Sequence, residues 1–216
     1  MLRQLKGTRI RSLKEQFPEP MVVNKGNFGS TLEAVLGLNP FSRSRDFVDG
    51  ELKTNKTLPS GQPKETIAVC VISTLVSDGL FGPVHVHYQG SYLSTKLSNM
   101  LIVQVVKEGP EDDWYIHDLY HMHAGPGTAL NEIFASDYRS IWELVRKSLA
   151  GDSNAVLHTT NGVFLQIRPK DGKPYHRIHC PHHGRVISEK NFAFYLQTSF
   201  MRAVIAGEFD EVRKVS

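Results

Sequence analysis

The chain has 216 residues, of which 40% are hydrophobic and 22% charged. That is ordinary globular usage: it excludes a disordered chain and suits one large domain or two small lobes. The formal net charge of +3 permits a nucleic-acid partner without requiring one, because a basic face fits inside a near-neutral total. Two cysteines, Cys70 and Cys180, exclude a disulfide framework, and no apolar run approaches the roughly 20 residues of a membrane span. Met1–Lys14 is polar and basic, without the apolar stretch of a secretory leader. These features lead us to expect a reduced, soluble, cytoplasmic protein with no membrane partner.

In chain order, residues 1–20 are basic and end in Pro18-Glu-Pro20, reading as an arm or a first short helix. Asn27-Phe-Gly-Ser30 supplies a glycine and a serine suited to capping, and Leu32, Val35 and Leu36 then recur at helical spacing before Gly37. Asp46–Thr54 reads as a strand, followed by a turn-rich segment at Leu58–Pro63. Thr66–Thr74, which contains Cys70, and Met100–Val106 are β-branched runs expected as strands buried on both faces. Lys107–Thr128 reads as a loop rich in His, Asp, Gly and Pro.

Ser136–Leu149 carries Ile141, Leu144, Val145 and Leu149 at spacings of three to four, an amphipathic helix stopped by Gly151. Val163–Arg168 is a further strand and Asp171–Gly184 a polar loop. Phe192–Ala206 reads as a C-terminal helix closed by Gly207. Mixed strands and helices in this order predict an α/β fold with one central mixed sheet flanked by helices.

The chemistry concentrates in Asp46-Phe-Val-Asp-Gly-Glu51-Leu-Lys53. Alternation along a strand puts Glu51 and Lys53 on one face and Leu52 on the other. Gly50 is a natural bend that can return Asp46 beside Glu51. Two converging carboxylates suit Mg²⁺, a hard cation that takes oxygen ligands and keeps several waters. A lysine two residues away can orient, or help deprotonate, an attacking water. The spacing alone is a weak signal, since such triplets often mark a solvated strand edge.

Context comes from a resemblance. The run Asn24-Lys-Gly-Asn-Phe-Gly-Ser-Thr-Leu-Glu33, then Asp46, Glu51-Leu-Lys53-Thr54, resembles the start of the MutH family. The likeness continues through Gly61-Gln-Pro-Lys-Glu-Thr66, Lys96-Leu97, the Trp142 helix and Phe164-Leu-Gln-Ile-Arg-Pro-Lys170 to Phe194-Tyr195-Leu196. This family joins a mismatch-repair nicking endonuclease to restriction-enzyme relatives within the restriction-endonuclease-like PD-(D/E)xK fold. The resemblance implies a single MutH-like endonuclease domain over 1–216, with a catalytic part at about 24–110 and a DNA-reading part at about 130–206. Asp46 and Glu51 would hold Mg²⁺, Lys53 would serve the nucleophilic water, and Glu33 and Lys96 would support the site.

By the same resemblance Arg168, Pro169 and Lys170 form the loop that reads base edges of GATC, and Tyr195 lies near its adenine. Arginine and lysine donate to guanine O6 and N7, and proline stiffens the loop. Without the resemblance, Glu33 is an ordinary exposed helical glutamate, Lys96 a solvated lysine, and Tyr195 a core aromatic in a stripe with Phe192, Leu196 and Phe200. No proline precedes Asp46, where Arg45 stands, and the Asp46-to-Glu51 interval is shorter than in the repair enzyme.

His176, His179, Cys180, His182 and His183 invite a zinc reading, but their spacing matches no standard finger. With Lys173, Arg177 and Arg185 nearby, the favoured reading is a loop along DNA phosphates. His117, His121 and His123, near Asp112, Asp113 and Asp118, form a second cluster, read as a surface loop or a DNA-contacting insertion. The resulting expectation is a sequence-specific, Mg²⁺-dependent, type II restriction-like endonuclease acting on double-stranded DNA. The alternatives are a strand-nicking enzyme activated by a MutL-like repair partner and a catalytically silent DNA-binding protein. One active site per chain cuts one strand, so double-strand cleavage would need a homodimer or two sequential nicks.

Overall fold

The computed structural model describes residues 5–16, 27–38, 46–72, 87–170, 172, 175, 177–180 and 184–215. These fall into two compact units, each built from separated stretches of chain. The first comprises Met1–Ile67, Ser98–His123 and Met201–Ser216; the second comprises Ala68–Leu97 and Ala124–Phe200.

The first unit is built on a four-stranded mixed sheet. Strands β1 (Glu51–Thr57), β3 (Asn99–Val106), β4 (Tyr115–His123) and β10 (Val212–Lys214) lie in the order β1-β3-β4-β10. β1 runs parallel to β3 with Glu51 opposite Met100 and Lys53 opposite Ile102, while β4 is antiparallel to both β3 and β10. β3 is the central apolar run expected from its sequence, buried from Met100 to Val106. Helices α1 (Ile10–Gln16) and α2 (Asn27–Val35) bury Ile10, Leu13, Phe28 and Leu32 in one cluster with Leu52, Leu101, Val103, Val105, Ile116 and Leu119. Because α2 begins at Asn27, Ser30 lies within its first turn instead of capping it.

The second unit has its own four-stranded sheet of β2 (Ile67–Val71), β9 (Phe192–Leu196), β6 (Leu165–Pro169) and β5 (Thr160–Asn161), in that order. It also holds a two-stranded sheet of β7 (Ile178–Cys180) and β8 (Arg185–Ser188), α3 (Tyr92–Ser98) and α4 (Ala129–Ala150). α4 is longer than its apolar stripe suggested. Thr128 caps its start by accepting from the Asn131 amide at 3.2 Å, and Gly151 ends it in the left-handed conformation at φ 96°. Tyr138 of α4 stacks on Trp142 and Phe194 at 6.2 and 5.8 Å between centroids, and Phe134 meets Phe200 at 5.8 Å.

Four expectations are corrected. Among the described residues the strands form two four-stranded sheets and one two-stranded sheet, where one central sheet was expected. Lys107–Thr128 is not a loop throughout, since β4 occupies Tyr115–His123 after a short 3-10 turn at Glu111–Asp113. Its period-two pattern buries Ile116, Tyr120 and Met122 and exposes His121 and His123. Phe192–Ala206 is not one helix but strand β9 followed by α5 (Thr198–Ala206). Asp46–Gly50 is a turn, and β1 starts at Glu51.

Candidate functional site

The site begins with β1, an edge strand of its sheet among the described residues. Leu52 points into the core at 4% exposure, so its neighbours Glu51 and Lys53 share the opposite face. The Lys53 ammonium donates to Glu51 Oε1 and stands 3.9 Å from Asp46 Oδ2. Glu51 is only 1% exposed, and a carboxylate so deep in a fold requires a cation and hydrogen bonds close by.

Asp46 arrives through the turn before β1. The Phe47 amide donates to the Gly50 carbonyl at 2.9 Å, and the Leu52 amide donates to Asp46 Oδ2 at 2.8 Å. Gly50 is buried, and a Cβ there would meet the Asn99 carbonyl oxygen at 3.1 Å. Glycine therefore lets the turn lie against β3. The structure thus brings Asp46, Glu51 and Lys53 together, as the strand alternation and the Gly50 bend suggested.

Glu33, on α2, feels the same charges. Burial pushes its carboxyl above the ordinary range, and the Asp46 charge adds to that; Lys53 opposes it, and Glu51 adds a smaller push. Among the described residues no three His, Cys, Asp or Glu side chains group closely enough to hold a metal ion. The donor set is instead a pair, Asp46 and Glu51, with a third acid at longer range. One or two carboxylates with waters and substrate phosphates are the normal complement of Mg²⁺, so this pair fits that ion.

Lys96 and the residues named as reading or lying along DNA belong to the second unit. Lys96 is on α3, 8% exposed, with Nζ 5.1 Å from the Tyr92 ring centroid. Arg168 and Pro169 end β6, and Lys170 follows with its amide bonded to the Asn191 carbonyl at 3.0 Å; all three are exposed. Tyr195 is on strand β9, not on a helical stripe, and the Arg168 guanidinium lies 5.0 Å from its ring centroid. Arg177 is exposed and paired with Glu189 at 2.8 Å. Lys173, His176, His182, His183 and the side chains of Cys180 and Arg185 lie outside the described residues.

In the other histidine cluster, His117 Nδ1 is 3.0 Å from Asp118 Oδ2, and Asp118 also pairs with Lys6 and Lys214 at 2.7 and 2.8 Å. His121 Nε2 is 2.6 Å from Asn99 Oδ1, and Asn99 Nδ2 donates to the Asp49 carbonyl at 3.1 Å. Sequence reasoning missed Asn99. It also missed Asp137 of α4, whose carboxylate accepts from the Val163, Phe164 and Leu165 amides at 2.6, 2.7 and 2.8 Å. Those three bonds fix the turn that leads into β6. An Asp-Tyr step in mid-helix gave no local sign of that role.

Fold and site together define a mixed α/β protein with a carboxylate pair and a lysine converging at the edge of a mixed sheet. No family model matches the chain. It is similar to the DNA mismatch repair protein MutH of Shewanella amazonensis, with 28% identity over 201 residues that cover 89% of this chain and 84% of that protein. No helix among the described residues is long and apolar enough to cross a membrane.

Proposed function

We propose that the protein is a Mg²⁺-dependent endonuclease that hydrolyses phosphodiester bonds in duplex DNA, with GATC as its target. The observation that carries this reading is the convergence of Asp46, Glu51 and Lys53. The similarity to a MutH protein along most of both chains supports the DNA substrate. The restriction-endonuclease-like fold is part of the same proposal, and the mixed α/β architecture is compatible with it.

Asp46 and Glu51 would hold the ion, which would offset phosphate charge and make an attacking water easier to deprotonate. The Leu52 amide fixes the Asp46 carboxylate, so one ligand is oriented by the same strand that carries the other. Lys53, bonded to Glu51, donates to and orients the attacking water, whose proton passes to solvent. The water oxygen bonds to phosphorus, one ester oxygen leaves, and the leaving oxygen acquires a proton. By the family resemblance Glu33 is a supporting acid and Lys96 a further active-site lysine. Arg168, Pro169, Lys170 and Tyr195 read the bases, while Arg177, Lys173 and Arg185 lie along phosphates.

Nicking with a repair-protein partner is favoured over restriction by one observation, that the similar protein is a mismatch-repair protein. Supercoiled plasmid incubated with the protein and Mg²⁺ tests both forms. Linear product supports a restriction role by a dimer or by paired nicks, and open circles that need a partner support repair. Supercoiled DNA that survives every condition while gel shift persists would refute the enzyme reading and leave a silent DNA-binding protein.

A further inference from the structure

The turn that delivers Asp46 is weakly held by packing. Val48 at its tip is fully exposed, and a cavity of about 290 Å³ lies against it, lined in part by Phe47, Gly50, Glu51, Leu101 and His121. Its inner half is anchored, by the Leu52 amide on Asp46 and by Phe47 against the core. Its outer half meets the sheet through a polar chain. His121 Nε2 bonds Asn99 Oδ1 at 2.6 Å, and Asn99 Nδ2 bonds the Asp49 carbonyl at 3.1 Å.

The direction of that chain is fixed by its end. The Asp49 carbonyl only accepts, so the Asn99 amide must present its NH₂ there and its oxygen to His121. His121 must then donate from Nε2, which both the Nε2–H tautomer and the imidazolium do. Asn99 is the first residue of β3, and His121 pairs with Leu101 on β4, so the chain ties the turn to two inner strands. Gly50 completes the contact, because a Cβ there would come within 3.2 Å of Asn99 Nδ2.

We propose that Asn99 and His121 are positioning residues that hold the Asp46–Gly50 turn, and so set Asp46 against Glu51 for ion binding and cleavage. The proposal rests on the endonuclease reading for its catalytic consequence but not for its structural one. Asn99→Asp keeps the shape and removes the donor to Asp49; His121→Ala removes the brace, and His121→Gln restores a donor.

Two readouts test it. In the first, amide resonances of Asp49, Gly50 and Glu51 are followed by NMR during Mg²⁺ titration. Asn99→Asp is expected to move all three and to raise the half-saturating Mg²⁺ concentration at least threefold, with His121→Ala giving a smaller change that His121→Gln reverses. The second is steady-state cleavage. One neutral hydrogen bond corresponds to about a 2- to 10-fold effect, so kcat falls about 10-fold in Asn99→Asp with KM within twofold. The double variant should be no worse than Asn99→Asp alone, because both changes act through one chain. Unmoved turn resonances and an unchanged Mg²⁺ midpoint in Asn99→Asp would overturn the positioning role, whatever cleavage shows. Moved resonances, in a protein in which Lys53→Ala still cleaves, would uphold the role and defeat the endonuclease mechanism instead.

Discussion

Gly162→Ala perturbs the turn that starts the proposed reading strand, and the structure sets the size of the effect. A Cβ at Gly162 would lie 2.4 Å from both Cγ and Oδ1 of Asp137 and 2.7 Å from its Cβ, about 1 Å inside ordinary contact. Asp137 is 3% exposed and its carboxylate holds three backbone amides at 2.6 to 2.8 Å. A retreat of about 1 Å takes those bonds beyond hydrogen-bonding range. Each bond to a charged acceptor contributes about 1.5–3 kcal/mol, so loss of one or two costs about 2–5 kcal/mol. For a chain of this size that lowers Tm by roughly 5–15 °C. Thermal unfolding followed by far-UV circular dichroism measures it. A Tm within 1 °C of the parent would refute the claim that Asp137 organises this turn.

Four further outcomes are expected. The Glu33 carboxyl is pushed up chiefly by burial and then by Asp46, so its neutral form is favoured in the fold. Its contribution to stability is full below the ordinary carboxylate range and is lost as pH rises through the raised value. Glu33→Gln should therefore raise Tm at pH 7 and leave it unchanged at pH 3.5. Asp118 behaves oppositely: burial pulls its carboxyl up, but the Lys214 and Lys6 bonds outweigh it and hold it low. Its stabilisation is present above the ordinary range and is lost as pH falls through the depressed value, so Asp118→Asn should lower Tm at pH 7, with the difference shrinking as pH falls below the ordinary carboxylate range. Mg²⁺ at 100 times its Kd should stabilise the protein by about 2.7 kcal/mol, and Glu51→Gln should abolish that gain in a calorimetric scan. Lys170→Ala should reduce preference for GATC over other duplexes by about 1–3 kcal/mol in competition binding; equal weakening on all sequences would make Lys170 a phosphate contact.

The elements that sequence reasoning found were those whose pattern was both long and apolar. β3 and the Trp142 helix are such cases, and the fourteen residues Ser136–Leu149 were enough to locate a helix that is 22 long. β4 was missed because its exposed face carries His121 and His123 and even its buried face carries Asp118, so polarity masked an alternation that runs through Ile116, Tyr120 and Met122. Phe192–Leu196 misled for the opposite reason: a short run apolar on nearly every position fits a buried strand and a helix equally. At the site, the Glu51–Lys53 pairing follows from period two along a strand and was legible, as was the bend at Gly50. The brace from Asn99 and His121 was not, because its partners are separated by 50 and 22 residues and meet only through strand register. Asp137 was hidden likewise, its amide partners lying 26 to 28 residues downstream.

The central claim is that Asp46, Glu51 and Lys53 form a hydrolytic site. Cleavage of GATC-containing supercoiled plasmid by the parent protein and by Lys53→Ala, with and without Mg²⁺, tests it most directly. The expected result is Mg²⁺-dependent nicking or linearisation by the parent, and none by Lys53→Ala although it binds the same DNA with affinity within threefold. Cleavage by Lys53→Ala at the parent rate, or by the parent without a divalent ion, would contradict the account.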